Sequence, residues 1–339
     1  MRVRVAEDGW PTRVILPGSV FFRQVSDARR IPAEGIHLTA LREAMASPAL
    51  SPAARRRLVR NDDAARLGAI FVDLPYFHRF TNEVLRYLMG LPAKPSMWGQ
   101  TLHDGGAIDL LGGLIDVARR ERDETLGAIA LGVASHCAID RALHPLINAL
   151  ARKHVAGKNH DASHREVEKF QSICFHELYM GRDMMGTPEI TSYLAIRLAE
   201  GLPDRLAMLA LEAWRRALGT APEAAELVGY VRGYCTHTKL LGSPLGKRLA
   251  PLAAKAAARP RYIEGTWGAF STLLERAVAA SLPVLDATAD VLDADATDVH
   301  RARAQLASRL PRGTIDPAGQ DVDLARPFMV SLRRSHLSA

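Results

Sequence analysis

His136, Asp140 and His144 recur at every fourth residue in the segment from Leu131 to Glu168. On an α-helix each step of four advances about 40° around the axis, so the three side chains share one face. That face is also apolar, because Ile129, Val133, Ile139 and Leu143 fall within the same arc. An ionised carboxylate on a core-facing stripe costs several kcal/mol unless something offsets it. Whatever fold the chain takes must therefore bring a compensating group to Asp140. His164 and Glu168 repeat the four-residue spacing, with His164 28 residues beyond His136. Two helical His/carboxylate pairs of this kind point to a multinuclear metal site on neighbouring helices.

Composition narrows the surroundings of such a site. The chain has 339 residues, 48% hydrophobic and 24% charged, enough for one large or two modest domains with a buried core. No run of 18 apolar residues occurs, so no transmembrane span is expected. The opening Met-Arg-Val-Arg-Val-Ala-Glu-Asp-Gly-Trp lacks the apolar centre of a secretory signal. Cys137, Cys174 and Cys235 show no metal-type spacing, and a reduced, cytoplasmic setting is the simpler expectation. A net charge of +7 favours anionic partners such as phosphate esters, nucleic acid or membrane head groups. The basic residues are scattered, with small clusters at Arg55-Arg56-Arg57 and from Lys247 to Arg261. Aromatic residues do not interleave with them, so a nucleic-acid platform is not specifically indicated.

The hydrophobic periodicity is helical nearly throughout, and the expected fold class is all-α. Residues 1–34 read as an irregular lead-in interrupted by Pro11, Pro17 and Pro32. A helix is expected from His37 to the Ser47-Pro48 and Ser51-Pro52 stops, and another from Pro52 to about Leu67. Further helices are expected at about 76–91, 107–121, 124–143 and 163–180, with a polar connection over 151–162. Beyond Pro188 the pattern gives helices near 190–200, 203–218, 222–243 and 264–293. The organisation expected is a helical metal domain over 35–185, a helical extension of the bundle over 186–310 and a tail over 311–339.

Seven of the twelve histidines lie between His103 and His176. His136, Asp140, His144, His164 and Glu168 are expected to ligate metal together. His154, His160 and His176 are expected at the surface or behind the ligands, and His78, His237, His300 and His336 carry no signal. Asp73, inside the apolar stretch from Leu67 to Tyr76, has two readings. It either caps the next turn or serves as a buried ligand.

Taken in order, His37, Gly68-Ala69-(x)3-Asp73, His103-Asp104-Gly105, His136-(x)3-Asp140-(x)3-His144-Pro145 and His164-(x)3-Glu168 resemble the zinc-dependent phospholipase C family. The Asp-(x)3-His step is most similar to the branch containing glycosylphosphatidylinositol-specific phospholipase D, with zinc single-strand nucleases more distant. The resemblance covers roughly residues 35–180. It implies a multi-helix bundle with two or three zinc ions between helices. By position, Asp73, His103, His136 and Asp140 would hold one zinc. Asp140 would bridge to a second that His37 also ligates, and His144, His164 and Glu168 would hold the remaining ion. Asp73 would also orient or deprotonate the attacking water. Some members use the amino group of an N-terminal tryptophan as a ligand. Here thirty-six residues precede His37 and the one upstream tryptophan is Trp10. His144 also precedes Pro145, a position that disfavours helical geometry, so the helix is expected to end there.

The functional expectation is a zinc-dependent phosphoester hydrolase that activates water for attack on a phosphodiester. Its substrate would be a phosphoester such as a phospholipid head group, with peripheral contact to an anionic membrane. The alternatives are a zinc nuclease, or a catalytically silent helical scaffold that retains metal for stability. The sequence does not give the oligomeric state.

Overall fold

The computed structural model describes residues 34–89, 91, 96–154, 160–249, 252–259, 261 and 267–317, and among them there is no strand. In chain order the helices are α1 (Glu34–Ala46), α2 (Pro52–Arg60), α3 (Asp62–Ala69), α4 (Phe80–Leu88), α5 (Met97–Thr101), α6 (Ala107–Glu121), α7 (Glu124–His154) and α8 (His160–Met180). They continue with α9 (Pro188–Leu194), α10 (Arg197–Glu200), α11 (Asp204–Leu218), α12 (Ala224–Leu241), α13 (Pro244–Leu249), α14 (Leu252–Arg259), α15 (Trp267–Asp293) and α16 (Val299–Arg309). A 3₁₀ turn, Leu74–Phe77, precedes α4, and a π-helical turn, Leu102–Gly106, joins α5 to α6.

Local chemistry sets several of these boundaries. The Ser51 side chain accepts the Ala54 N–H at 3.2 Å and Pro52 occupies the first turn, so α2 starts there. Asn61 then leaves helical geometry at φ −125°, and the single helix expected over 52–67 is two. α6 ends on Arg122 in the left-handed region, while α12 opens with a reciprocal capping box between Glu223 and Glu226.

α7 is the axis of the bundle. It packs against α1, α3, α6, α8 and α15, and every residue from Leu126 to Asp140 is buried. It is long and apolar enough to cross a membrane, but 89% of its most apolar window is buried inside the protein, as in a core helix. The expected stop at His144 does not occur, because α7 runs through Pro145 to His154. Proline removes one backbone donor from the ladder, and here burial of Leu143, Leu146, Ile147 and Leu150 on both sides of it outweighs that loss. α7 passes from the larger apolar cluster, which contains Ala138, to a smaller one that starts at Ile139 and includes Ile36, Val167 and Phe175. His136 and Asp140 flank that crossing point.

The C-terminal helices complete the same bundle: α11 lies on α6, α12 on the 3₁₀ turn and α15 on α7. After α16 the segment expected as a tail turns inward, with Leu310 and Ile315 buried. The expected lead-in over 1–34 lies outside the described residues except Glu34, as do 155–159 of the polar connection and the tail from 318.

α3 and α7 approach closely enough that a Cβ on Gly132 would meet the Ala65 carbonyl oxygen, and one on Gly68 the Ile129 carbonyl oxygen. This contact fixes the distance from Ala69 to His136. Gly132→Ala is expected to destabilise the protein by about 1–3 kcal/mol through overpacking. Gly112→Ala, on an open face of α6, is expected to be neutral or stabilising by up to about 1 kcal/mol. Paired denaturant titrations of the two variants check this.

Candidate metal centre

Five segments deliver the ligand-type side chains to one place. His37 lies in the first turns of α1, Asp73 in the turn after α3, His103 in the π-helical turn, His136, Asp140 and His144 on α7, and His164 and Glu168 on α8. All eight residues expected from the sequence converge. His37, Asp73, His103, His136, Asp140, His144 and His164 are buried, and the Glu168 side chain is 17% exposed. Asp73 does not cap the 3₁₀ turn with its side chain, so the cap reading fails and its carboxylate faces His103 instead.

Asp140 is the hub. Its Oδ1 lies 3.1 Å from His37 Nε2 and 3.5 Å from His144 Nε2. Its Oδ2 lies 2.9 Å from His136 Nε2 and 3.8 Å from His103 Nε2. Asp73 Oδ1 is 3.4 Å from His103 Nε2. On the far side, Glu168 Oε1 is 3.1 Å from His164 Nε2 and 3.4 Å from His144 Nε2. The rings of His37 and His136 stack at 4.0 Å.

The opposite nitrogens settle which ring atoms face the carboxylates. His136 Nδ1 lies 2.9 Å from the Ala69 carbonyl, left open by the end of α3, and His103 Nδ1 lies 2.8 Å from the Gly99 carbonyl. Carbonyl oxygens only accept, so both Nδ1 atoms donate. Asn148 Nδ2 donates to Asp316 Oδ1 at 2.8 Å and to the Pro317 carbonyl at 3.0 Å, which orients its amide. Asn148 Oδ1 therefore accepts from His164 Nδ1 at 2.7 Å. In neutral imidazoles anchored this way, Nε2 carries a lone pair.

With the imidazoles neutral, lone pairs and carboxylate oxygens would point at one another, an arrangement that needs either protons or metal ions between them. His136 Nε2 is buried and lies 2.9 Å from Asp140 Oδ2. Three sets have ligand atoms within 4.8 Å of one another: His37, His136 and Asp140; Asp73, His103 and His136; and His144, His164 and Glu168. Imidazole nitrogen mixed with carboxylate oxygen is the donor set zinc prefers when cysteine is absent. The residues present fit the metal.

Electrostatics agree. Burial by itself would raise the Asp140 pKa, yet His136, His144 and His37 hold it well below the ordinary carboxylate range. Burial lowers the His136 pKa, but Asp140 and Asp73 outweigh it and raise it to about 9. His144 is raised in the same way, mainly by Asp140 against its own burial.

Three contributors escaped the sequence reading. Asn148 continues the four-residue ladder after His144, so its place on the same helical face was available from spacing alone. Tyr76, whose Oη lies 3.1 Å from His103 Nδ1, and Asp316, 3.1 Å from His144 Nδ1, had no such signal. Asp104 turns out to solvent and accepts from Gln100 at 2.7 Å. His237, which carried no signal, is buried and pairs with Glu34 at 2.7 Å. His154 is partly buried, and the side chains of His160 and His176 lie outside the described residues.

A family model described as zinc dependent phospholipase C matches residues 36–210, just over half of the chain. No curated protein and no solved structure matches it.

The site makes opposite demands on pH with and without metal. In metal-free protein the raised His136 pKa contributes stability that is fully present below about 6.5, the unfolded value. That contribution is lost as pH rises through about 9. Metal binding instead requires deprotonated imidazoles, so zinc affinity should rise over the same window. Melting temperatures of chelator-treated protein should fall from pH 6.5 to 9 while zinc affinity by competition increases; parallel trends would contradict this account.

Proposed function

The chain belongs to the zinc-dependent phospholipase C family, and from that premise we propose that it is a zinc-dependent hydrolase of phosphodiester bonds in phospholipid-type substrates. The observation that carries the proposal is the convergence of five histidines and three carboxylates, with the Nδ1 atoms of His103, His136 and His164 anchored so that Nε2 faces inward.

His37, His136 and Asp140 would hold one ion, Asp73 and His103 with His136 beside them a second, and His144, His164 and Glu168 a third. Bound zinc would supply a more acidic water and neutralise charge on the phosphoryl oxygens. The chain's own groups do the rest. Asp140, reaching four histidines, keeps the subsites in register. Asp73, buried at the edge of the cluster, would orient the attacking water and accept its proton on a carboxylate oxygen. The surrounding core excludes bulk water, which strengthens every charge interaction inside.

Two features support a lipid rather than a nucleic-acid substrate. Leu85, Met89, Leu91 and Met97 are 45–70% exposed around the segment that leads into the His103 turn, where they could meet an acyl phase. The Arg55–Arg57 cluster is partly committed to the fold: Arg57 pairs with Glu124 and Asp293, each at 2.9 Å. The net charge of +7 suits an anionic membrane surface. Cys137, Cys174 and Cys235 form no disulfide among the described residues.

Native mass spectrometry of purified protein should find two or three zinc ions per chain, and Asp140→Asn should lose them. Fewer than two tightly bound ions in the unsubstituted protein would sink the proposal. Against phosphatidylcholine and phosphoinositide vesicles and a single-stranded oligonucleotide, turnover is expected on a lipid, and Asp73→Asn should reduce it by about 100-fold or more. Zinc present with no turnover would favour a metal-stabilised scaffold, and turnover of the oligonucleotide alone would favour a nuclease.

A further inference from the structure

The segment that follows α16 does more than end the chain. Thr314 Oγ1 donates to the His103 carbonyl at 2.8 Å, and the Ile315 N–H reaches the same oxygen at 3.2 Å. Arg141, one residue beyond Asp140 on α7, donates from Nε to the Thr314 carbonyl at 3.1 Å and from Nη2 to the Gly313 carbonyl at 3.2 Å. Gly313 sits at φ +122°, which side-chain-bearing residues rarely adopt, and Ile315 is fully buried. The Asp316 N–H then bonds Thr314 Oγ1 at 2.9 Å. These five hydrogen bonds make residues 313–316 a strap across two walls of the metal centre, and the strap residues lie outside the 36–210 family match.

The strap delivers one carboxylate. Asp316 Oδ1 lies 3.1 Å from His144 Nδ1 and accepts from Asn148 Nδ2 at 2.8 Å. Asn148 in turn holds His164 Nδ1. Asp316 therefore stands behind both histidines of the His144, His164 and Glu168 subsite, touching one directly and the other through a single amide. The other inward-facing pair, His103 and His136, is anchored by main-chain carbonyls of the family region, whereas His144 has no main-chain acceptor in that role among the described residues. A carboxylate on the outer nitrogen fixes the tautomer and raises the basicity of a ligating imidazole.

Resting on the zinc reading of this site, we infer that Asp316 is a positioning residue for the His144–His164–Glu168 subsite, and that the C-terminal strap is part of the metal centre. Asp316 holds His144 as the Nε2-ligating tautomer and, through Asn148, sets the ring of His164. The family region supplies Asn148 behind His164, and the carboxylate behind His144 comes from the strap.

The test measures zinc stoichiometry and affinity by chelator competition on the full chain, for the unsubstituted protein, Asp316→Asn and Arg141→Leu. Asp316→Asn keeps the side-chain shape and the chance to bond Asn148 but loses the charge. It is expected to release one ion at about 10–100-fold lower chelator concentration while the remaining ions stay bound as before. Arg141→Leu, which loosens the strap without touching a ligand, is expected to weaken the same ion. Asp316→Glu should recover part of the loss. Melting of the metal-free proteins separates positioning from simple support: the variants should lose more in the loaded than in the metal-free state. Equal loss in both states, or zinc retained by Asp316→Asn as tightly as by the unsubstituted protein, overturns the inference while leaving the zinc reading intact. An unsubstituted protein that holds no zinc overturns both.

Discussion

Burial of the Asp140 carboxylate among four imidazoles is the interaction on which the rest of this structure depends. The side chain is 4% exposed and has an Nε2 atom within 3.8 Å in each of four directions. In such a setting an uncompensated charge would cost several kcal/mol, and removing one partner of a buried pair is more damaging than never having built it. Three elements far apart in sequence must therefore meet at one point, α1, the π-helical turn and α7, and α8 joins them where Glu168 approaches His144. The bundle is arranged to permit that meeting.

The means are mostly steric. Gly68 and Gly132 let α3 and α7 approach with backbone against side-chain-free backbone, and this puts the open Ala69 carbonyl beside His136 Nδ1. The π-helical turn contributes a Gly105 at φ +142°, a conformation only glycine adopts readily, and thereby lets α5 run into α6 while His103 points inward. Trp98 and Trp214, with ring centres 5.7 Å apart, pack α5 onto α11 and brace that turn from outside the family's metal-binding residues. The C-terminal helices thus act on the site through the rigidity of what they cover.

The outer nitrogens of the histidines divide by origin. His103 and His136 are held by carbonyls of the main chain, His164 by Asn148, and His144 approaches Asp316. His37 Nδ1 is buried with no hydrogen-bond partner among the described residues. Main-chain anchors are set by helix ends and cannot be lost by a side-chain substitution. The Asn148 anchor and the Asp316 contact can.

The sequence alone determined that a buried carboxylate on α7 needed company, because four-residue spacing on an apolar stripe is a local, periodic property of one helix. His136, Asp140, His144, His164 and Glu168 follow from it, and Asn148 would have followed by extending the same ladder one step. The helical class is determined in the same way, since nearly every segment carries its own amphipathic period and stop signals. His37, Asp73 and His103 came instead through the order of motifs shared with a family, as no local period ties them to α7. Proline at 145 misled the reading, because its penalty is local and modest while the burial of the helix beyond it is tertiary. Only the folded chain decided that Asp73 faces His103 rather than capping a turn, and that residues 313–316 return to the site. Those outcomes depend on distances between segments more than 170 residues apart in one case, and a sequence records no such distance until packing creates it.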